Sequence, residues 1–201
     1  MIHKIILIAL FAVSPAIADV FEHPLKDREL AERTITSPEK TAGQFRQEKT
    51  INSLGVTLKS EGNFAINKNT GIFWQNLKPI KNTTIILKEK LCSFTDGKEV
   101  SSLDTADNQM LRHILNVINS VFAQDYIVME KYFDLYFMQT EDGYTLGLKA
   151  KDSVLASVIE EMRVHGNKTA EKIEFSDKTG DTTVIYFTEI TENVQNFSCP
   201  E

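Results

Sequence analysis

Acid–base and nucleophilic chemistry needs side chains held in fixed company, so the histidines and a loose acidic group come first. Of the four histidines, His3 sits in the apolar N-terminal stretch, His23 follows close behind it, and His113 and His165 stand alone. The chain has no Gly-x-Ser-x-Gly elbow, no His-Glu-x-x-His pair and no glycine loop that would cradle a phosphate. Asp96, Asp104 and Asp107 gather ahead of an apolar periodic stretch, but their spacing fails the calcium-loop pattern. Capping of a helix by Asp104 or Asp107 is the expected role. No catalytic residue, metal site or cofactor is expected, and the chain reads as a non-enzyme.

The residues that do stand out would bury hydrocarbon rather than move protons. They run Phe45-Arg46-Gln47, Gly62-Asn63-Phe64, Gly71-Ile72-Phe73-Trp74 and then Pro79. Neighbours along a strand point to opposite faces, so Ile72 and Trp74 share one face and Phe73 takes the other. The Ile72–Trp74 face, with Phe64 and Ile66 beside it, is the candidate wall of a hydrophobic cavity. By pattern alone the same residues also suit ordinary sheet packing.

The elements that must position this wall are short strands. Leu25 to Ile35 reads as a polar helix stopping before Ser37-Pro38. From Thr41 the period changes, and strands are expected at 41–51, 56–67, 71–77, 83–87 and 91–95. They are separated by turn formers such as Ser53-Leu54-Gly55, Lys68-Asn69-Thr70 and Asp96-Gly97. One amphipathic helix follows, with Met110, Leu111, Ile114, Leu115, Ile118, Val121 and Phe122 at helical spacing. Its face of Leu111, Ile114, Leu115 and Ile118 is either core packing or the inner surface of a lid. Strands resume at 132–140, 144–150, 159–165, 169–176 and 182–190. The whole is an α+β arrangement around one large antiparallel sheet. Phe133, Leu135 and Phe137 oppose Tyr132, Tyr136 and Met138, and Ile185 and Phe187 oppose Val184 and Tyr186. Strands apolar on both faces need cover on both sides.

The chain has 201 residues. Met1 to Leu10 carries one early charge, Lys4, and the apolar stretch from Ile5 to Val13 ends in Ala16-Ile17-Ala18. This pattern reads as a signal peptide, residues 1–18, cleaved after Ala18, and assigns the protein to the periplasm. Residues 19–201 then fit a single domain. Of 22 basic residues Lys4 leaves with the signal, so 21 stand against 28 acidic ones; no basic run suggests nucleic acid. Cys92 and Cys199 would both meet an oxidising compartment, as a disulfide or as two free thiols.

The order Phe-x-Gln, Gly-x-Phe-x-Ile, a turn, Gly-x-Phe-Trp and a following Pro resembles the periplasmic outer-membrane lipoprotein carrier family, LolA, in its wider LolA-like branch. The 159–165 strand, Ile173–Ser176, the Lys178-Thr179-Gly180-Asp181 turn and Thr183–Phe187 are similar to that family's closing hairpin. The resemblance implies a curved antiparallel sheet forming an incomplete, half-barrel wall, with two to three helices as a lid over a hydrophobic cavity. It also implies a cargo of lipoprotein acyl chains, an inner-membrane transporter as donor and an outer-membrane receptor as acceptor. Burying a 16-carbon chain at ~0.8 kcal/mol per methylene gains on the order of 12 kcal/mol before ordering costs.

Two departures bear on cargo. The family's carriers place an Arg-Pro pair before the Trp-bearing strand, and Lys68 and Asn69 stand there instead. The family's Arg ties sheet to lid, so Lys68 becomes a candidate polar latch, without the planar fork that grips two carbonyls. The family's Gly-x-Leu-Trp is replaced by Lys90-Leu91-Cys92. The expected function is a monomeric carrier or chaperone for acyl chains of a lipoprotein, or for another acylated molecule such as a glycolipid or a polyene-type lipid. The alternative is a non-transporting envelope adaptor or structural protein on the same fold.

Overall fold

The computed structural model describes residues 19–104 and 109–199. The expected signal sequence with its cleavage site, Asp107, and the side chains of Met110, Leu111 and His113 lie outside the described part.

The chain opens with a short turn at Val20–Glu22 and helix α1 (Arg28–Thr34), whose start is capped by the Asp27 carboxylate accepting from Leu30 N–H. Six strands follow: β1 (Lys40–Ile51), β2 (Val56–Asn67), β3 (Gly71–Lys78), β4 (Asn82–Leu87), β5 (Lys90–Thr95) and β6 (Lys98–Asp104). Helices α2 (Gln109–Ala123) and α3 (Tyr126–Tyr132) lead to β7 (Phe133–Thr140) and β8 (Gly143–Ala150). After the single-turn helix α4 (Ser153–Ala156) come β9 (Glu161–Gly166), β10 (Ala170–Ser176) and β11 (Thr182–Thr191).

All eleven strands join one antiparallel sheet in the order β6-β5-β4-β3-β2-β1-β11-β10-β9-β8-β7. Two meanders are thus joined by the pairing of β1 with β11, where Phe45 faces Phe187. The sheet is curved and remains open, with β6 and β7 as its edges. Those two strands are successive in the chain, so the α2–α3 connection crosses from one edge to the other over the concave side. This is the α+β half-barrel with a helical lid.

Strand β6 and the short helices α3 and α4 go beyond the elements that periodicity marks. All seven residues of β6 are exposed, so it carries no alternation to detect. It forms because Asp96 and Gly97, both at positive φ, close a tight turn that returns the chain onto β5. Asp104 is therefore the last residue of a strand, and residues 105–108 between it and α2 lie outside the described part.

The convex face carries apolar residues too, and the chain ends cover them. Phe21 packs edge-on against Tyr136 with ring centroids 5.2 Å apart, beneath the Arg163 guanidinium at 4.3 Å. Gly147 makes room for this: a Cβ there would meet Val20 Cγ1 at 2.9 Å and Phe21 Cε1 at 3.0 Å. His23 and Leu25 continue the cover along the edge of β7, accepting from Phe137 N–H and donating to the Leu135 carbonyl. At the other end, the tail lies over β3–β5. Phe197 contacts Phe73, and Cys199 is disulfide-bonded to Cys92, which is fully buried.

Candidate functional site

The concave face is built from alternate residues of neighbouring strands. Phe64 stands opposite Trp74 and Ile66 opposite Ile72 in the β2–β3 ladder, so the four share one surface. Trp74 stacks on Phe45 with centroids 3.8 Å apart, and Phe64 packs edge-to-face on Phe187 at 4.9 Å. These rings fix the floor of the wall, because each has a partner that holds its orientation.

Helix α2 lies over this floor, and the fit leaves a hollow of about 310 Å³. Its lining includes Ile72, Trp74 and Ile86 from one meander, Ile173, Phe175 and Ile185 from the other, and Val117, Ile118, Val121 and Phe122 from the helix. Gln47 is its one polar lining residue. A surface so poor in hydrogen-bonding groups favours a hydrocarbon occupant over a polar one. A second, smaller chamber of about 40 Å³ adjoins it, since Val121, Phe122 and Ile173 line both. Phe64, Ile66, Tyr144 and Leu146 line the smaller chamber, together with Ser37 and Gln124.

The residues marked in the sequence divide accordingly. Ile72, Trp74 and Ile118 line the large hollow, while Phe64 and Ile66 line the small one. Ile114 is half-buried and Leu115 fully buried, and neither lines either of these two hollows; the Leu111 side chain lies outside the described residues. The lid surface is the C-terminal half of α2, with Val117, Ile118, Val121 and Phe122 one turn apart in pairs. Val121 and Phe122 belong to the helical pattern visible in the sequence, whereas Val117 does not. The share of the second meander, Ile173, Phe175 and Ile185, was legible only as alternation, because periodicity does not tell which strands adjoin β1.

Lys68 sits in the turn between β2 and β3. Its Nζ donates to the Ser37 carbonyl at 2.9 Å and to Gln124 Oε1 at 3.2 Å. Gln124 follows the last residue of α2 and adopts positive φ, so this contact joins the sheet to the end of the lid. Burial pushes the Lys68 ammonium's pKa down, because desolvation penalises the charged form. Both of its partners also line the small chamber.

The residues first weighed for chemistry are dispersed. Asp96 is in the β5–β6 turn, and His165 lies on the convex face, its Nδ1 3.0 Å from Thr145 Oγ1 and its Nε2 3.0 Å from Glu174 Oε1. Among the described residues no group of three or more His, Cys, Asp or Glu is placed to hold a metal ion. Nor is any helix among them long and apolar enough to cross a membrane.

The sequence matches the family described as outer membrane lipoprotein carrier protein LolA over residues 37–197. The chain belongs to the LolA family. That match runs from the segment before β1 to the tail beyond β11, so it takes in the whole sheet and its lid. Among solved structures, the LolA-family chain is similar to a LolA superfamily protein from Nitrosomonas europaea, with 10% identity, 84% of this chain and 92% of that chain covered, and a TM-score of 0.44. It is also similar to a DUF1329 family protein from Desulfovibrio piger, at 9% identity, 84% and 91% coverage and a TM-score of 0.41. A chain of the Pseudomonas aeruginosa MucA/MucB complex is similar at 11% identity, with 76% of this chain and 51% of that one covered and a TM-score of 0.38. No curated protein matches the sequence.

Proposed function

We propose that this LolA-family protein is a periplasmic, non-enzymatic carrier that holds acyl chains between its curved sheet and helix α2. The cargo in this reading is a lipoprotein or a related acylated lipid, received from an inner-membrane transporter and passed toward the outer membrane by a monomeric, single-domain protein. The observation that carries the reading is the hollow of about 310 Å³ with one polar lining residue, on a chain of a lipoprotein-carrier family. That volume stands near the low end of small-molecule pockets, which span about 300–1,000 Å³. A long chain would therefore displace the lid as it enters, and the work of displacement would offset part of the transfer gain. Such an offset suits a carrier, which must release what it binds.

Lys68 is the latch of this reading. Its hydrogen bond to Gln124 holds the end of α2 against the β2–β3 turn and would break as the lid lifts, while its bond to the Ser37 carbonyl fixes the ammonium in place. Lys68→Leu should leave the fold intact and speed cargo release several-fold, as expected for one hydrogen bond worth ~1 kcal/mol. An unchanged release rate would remove the latch role.

The direct test is native mass spectrometry of the mature protein purified from periplasm without detergent. An adduct that fragments to acyl chains is the expected result. A bare polypeptide mass, together with no change in Trp74 fluorescence on adding an acylated lysolipid, would overturn the carrier reading. Trp74 serves as reporter because it is the chain's one tryptophan and lines the hollow.

A further inference from the structure

Large apolar side chains left exposed to solvent gather at one end of the sheet. In the β1–β2 hairpin they are Leu54, Val56 and Leu58, and around the β3–β4 turn Leu77 and Ile80; Leu54 and Ile80 are 68% and 69% exposed. Antiparallel pairing puts both turns, together with the β10–β11 turn and the β8–β9 connection, at the same end. The turns of the opposite end, at 67–71, 87–90, 140–143 and 166–170, carry no exposed side chain of this kind. Pairing of β2 with β3 stops at Glu61 and Lys78, so residues 56–60 project past β3. One exposed Leu needs no explanation, but five apolar residues on two adjacent tips mark a contact surface.

Charge narrows the choice of partner. Residues 49–59 contain Lys49 and Lys59, residues 77–83 contain Lys78 and Lys81, and neither stretch holds a carboxylate. Lys59 and Lys78 pair with Glu48 at 3.3 Å and Glu61 at 2.7 Å. Four lysines less those two glutamates leave the tips positive, on a chain whose formal net charge is −6. The flanking turns are acidic, with Asp177 and Asp181 around Lys178 on one side and Asp96 and Glu99 around Lys98 on the other, so the positive zone is confined to the two apolar tips. The same end holds exposed lining of the large hollow: Val158, in the β8–β9 connection, is 44% exposed. Leu58 continues along β2 the face that bears Phe64 and Ile66.

We propose that the two hairpin tips dock on an anionic lipid surface, with Leu54 and Ile80 entering the headgroup layer and the lysines meeting its phosphates. Apolar tips alone would suit a protein partner equally well. Lysines without carboxylates among them favour the lipid surface, which adds electrostatic attraction to the burial of apolar area. A lysine stem can also lie along apolar surface while its ammonium stays among the headgroups. Docking in this way turns the exposed end of the hollow toward a bilayer, where acyl chains reside. The inference goes beyond the carrier reading and does not depend on it, because the tips dock whether or not the hollow is filled.

The test is co-sedimentation of the mature protein with vesicles of phosphatidylcholine alone and of equal parts phosphatidylcholine and phosphatidylglycerol. The mixed vesicles should bind about tenfold or more tightly, with the preference fading as salt is raised. The Lys78→Gln, Lys81→Gln double variant should lose about tenfold or more on the mixed vesicles, at about fivefold per lysine, and nothing on phosphatidylcholine. Leu54→Ser with Ile80→Ser should lose about tenfold or more on the mixed vesicles. All four side chains are exposed, so both variants should melt with the wild type. Ile118→Phe, which fills part of the hollow, should dock as the wild type does. Equal binding to the two vesicles, or variants that bind as the wild type, overturns the docking surface. Loss of vesicle binding in Ile118→Phe would assign the signal to acyl uptake, overturning the docking surface and leaving the carrier reading standing. Self-association that Leu54→Ser with Ile80→Ser abolishes, without vesicle binding, would give the tips to a second copy and overturn the lipid contact.

Discussion

On the convex side of the sheet, the chain covers its apolar residues with its own two ends; on the concave side it brings up a helix that fits less closely. Phe21 drops onto Tyr136 into space that Gly147 leaves open, and Phe197 and Cys199 close over Phe73 and Cys92. Helix α2 meets an equally apolar surface and leaves a hollow of about 310 Å³. The burial requirement is the same on both sides, because strands such as β7 and β11 carry large side chains on both faces. What differs is completeness. Close packing on the convex side fixes the shape of the sheet, and incomplete packing on the concave side leaves unfilled space where another molecule's apolar surface can be buried.

Removing the tail staple should have the largest effect on that contrast. The Cys92–Cys199 bond closes a loop of 107 residues. The Cys92→Ser, Cys199→Ser double variant should lose about 2–5 kcal/mol of stability in urea unfolding. An unchanged midpoint would mean that the tail contributes nothing to the convex cover. Next comes Gly147→Val, whose added carbons collide with Val20 and Phe21; a loss of about 1–3 kcal/mol is expected for overpacking a filled site. The concave counterpart is Ile118→Phe, which adds atoms facing the hollow. It should stay within about 1 kcal/mol of wild type, yet weaken uptake of an acyl probe by about tenfold or more. Similar stability losses at Gly147 and Ile118 would erase the distinction between the two faces.

The smallest effect concerns pH. Burial holds the His165 imidazole below its ordinary value of 6.5, with the Lys172 and Arg163 charges acting in the same direction and the Glu174 carboxylate against it. The unfolded chain then takes up the proton first, so this contribution is complete above about pH 6.5 and fades as pH falls below it. Thermal melts of wild type and His165→Gln should diverge modestly above that pH and converge below it. Parallel curves would show that His165 does not titrate against stability.

Much of this architecture was legible because turn formers and alternation coincide. The β2 boundaries follow directly from Gly55 and the Asn67-Lys68-Asn69-Thr70 turn, and the amphipathic stripe of α2 from Ile114 to Phe122 is plain. Strand β6 escaped because its residues are all exposed, and α3 because seven residues give too few turns for a period to show. At the site, the pairing of Ile72 with Trp74 on one face follows from strand geometry alone. Val117 did not, since it lies at the border of the stripe read as the apolar face. Nor could Ile173, Phe175 and Ile185 be joined to Trp74 before the β1–β11 pairing was known.

The order of strands also bears on how the protein reaches its shape. Within each meander, every strand pairs with its neighbour in the chain, so both can assemble from contacts that are close in sequence. The β1–β11 seam alone joins strands from the two ends of the sequence, and it carries the Phe45–Phe187 pair at the heart of the concave floor. Closing that seam brings together strands far apart in sequence, so it carries the largest loop-closure cost of any pairing in the sheet. A chain caught before that event would display two half-sheets with bare β1 and β11 edges, the species most prone to pairing with another copy of itself.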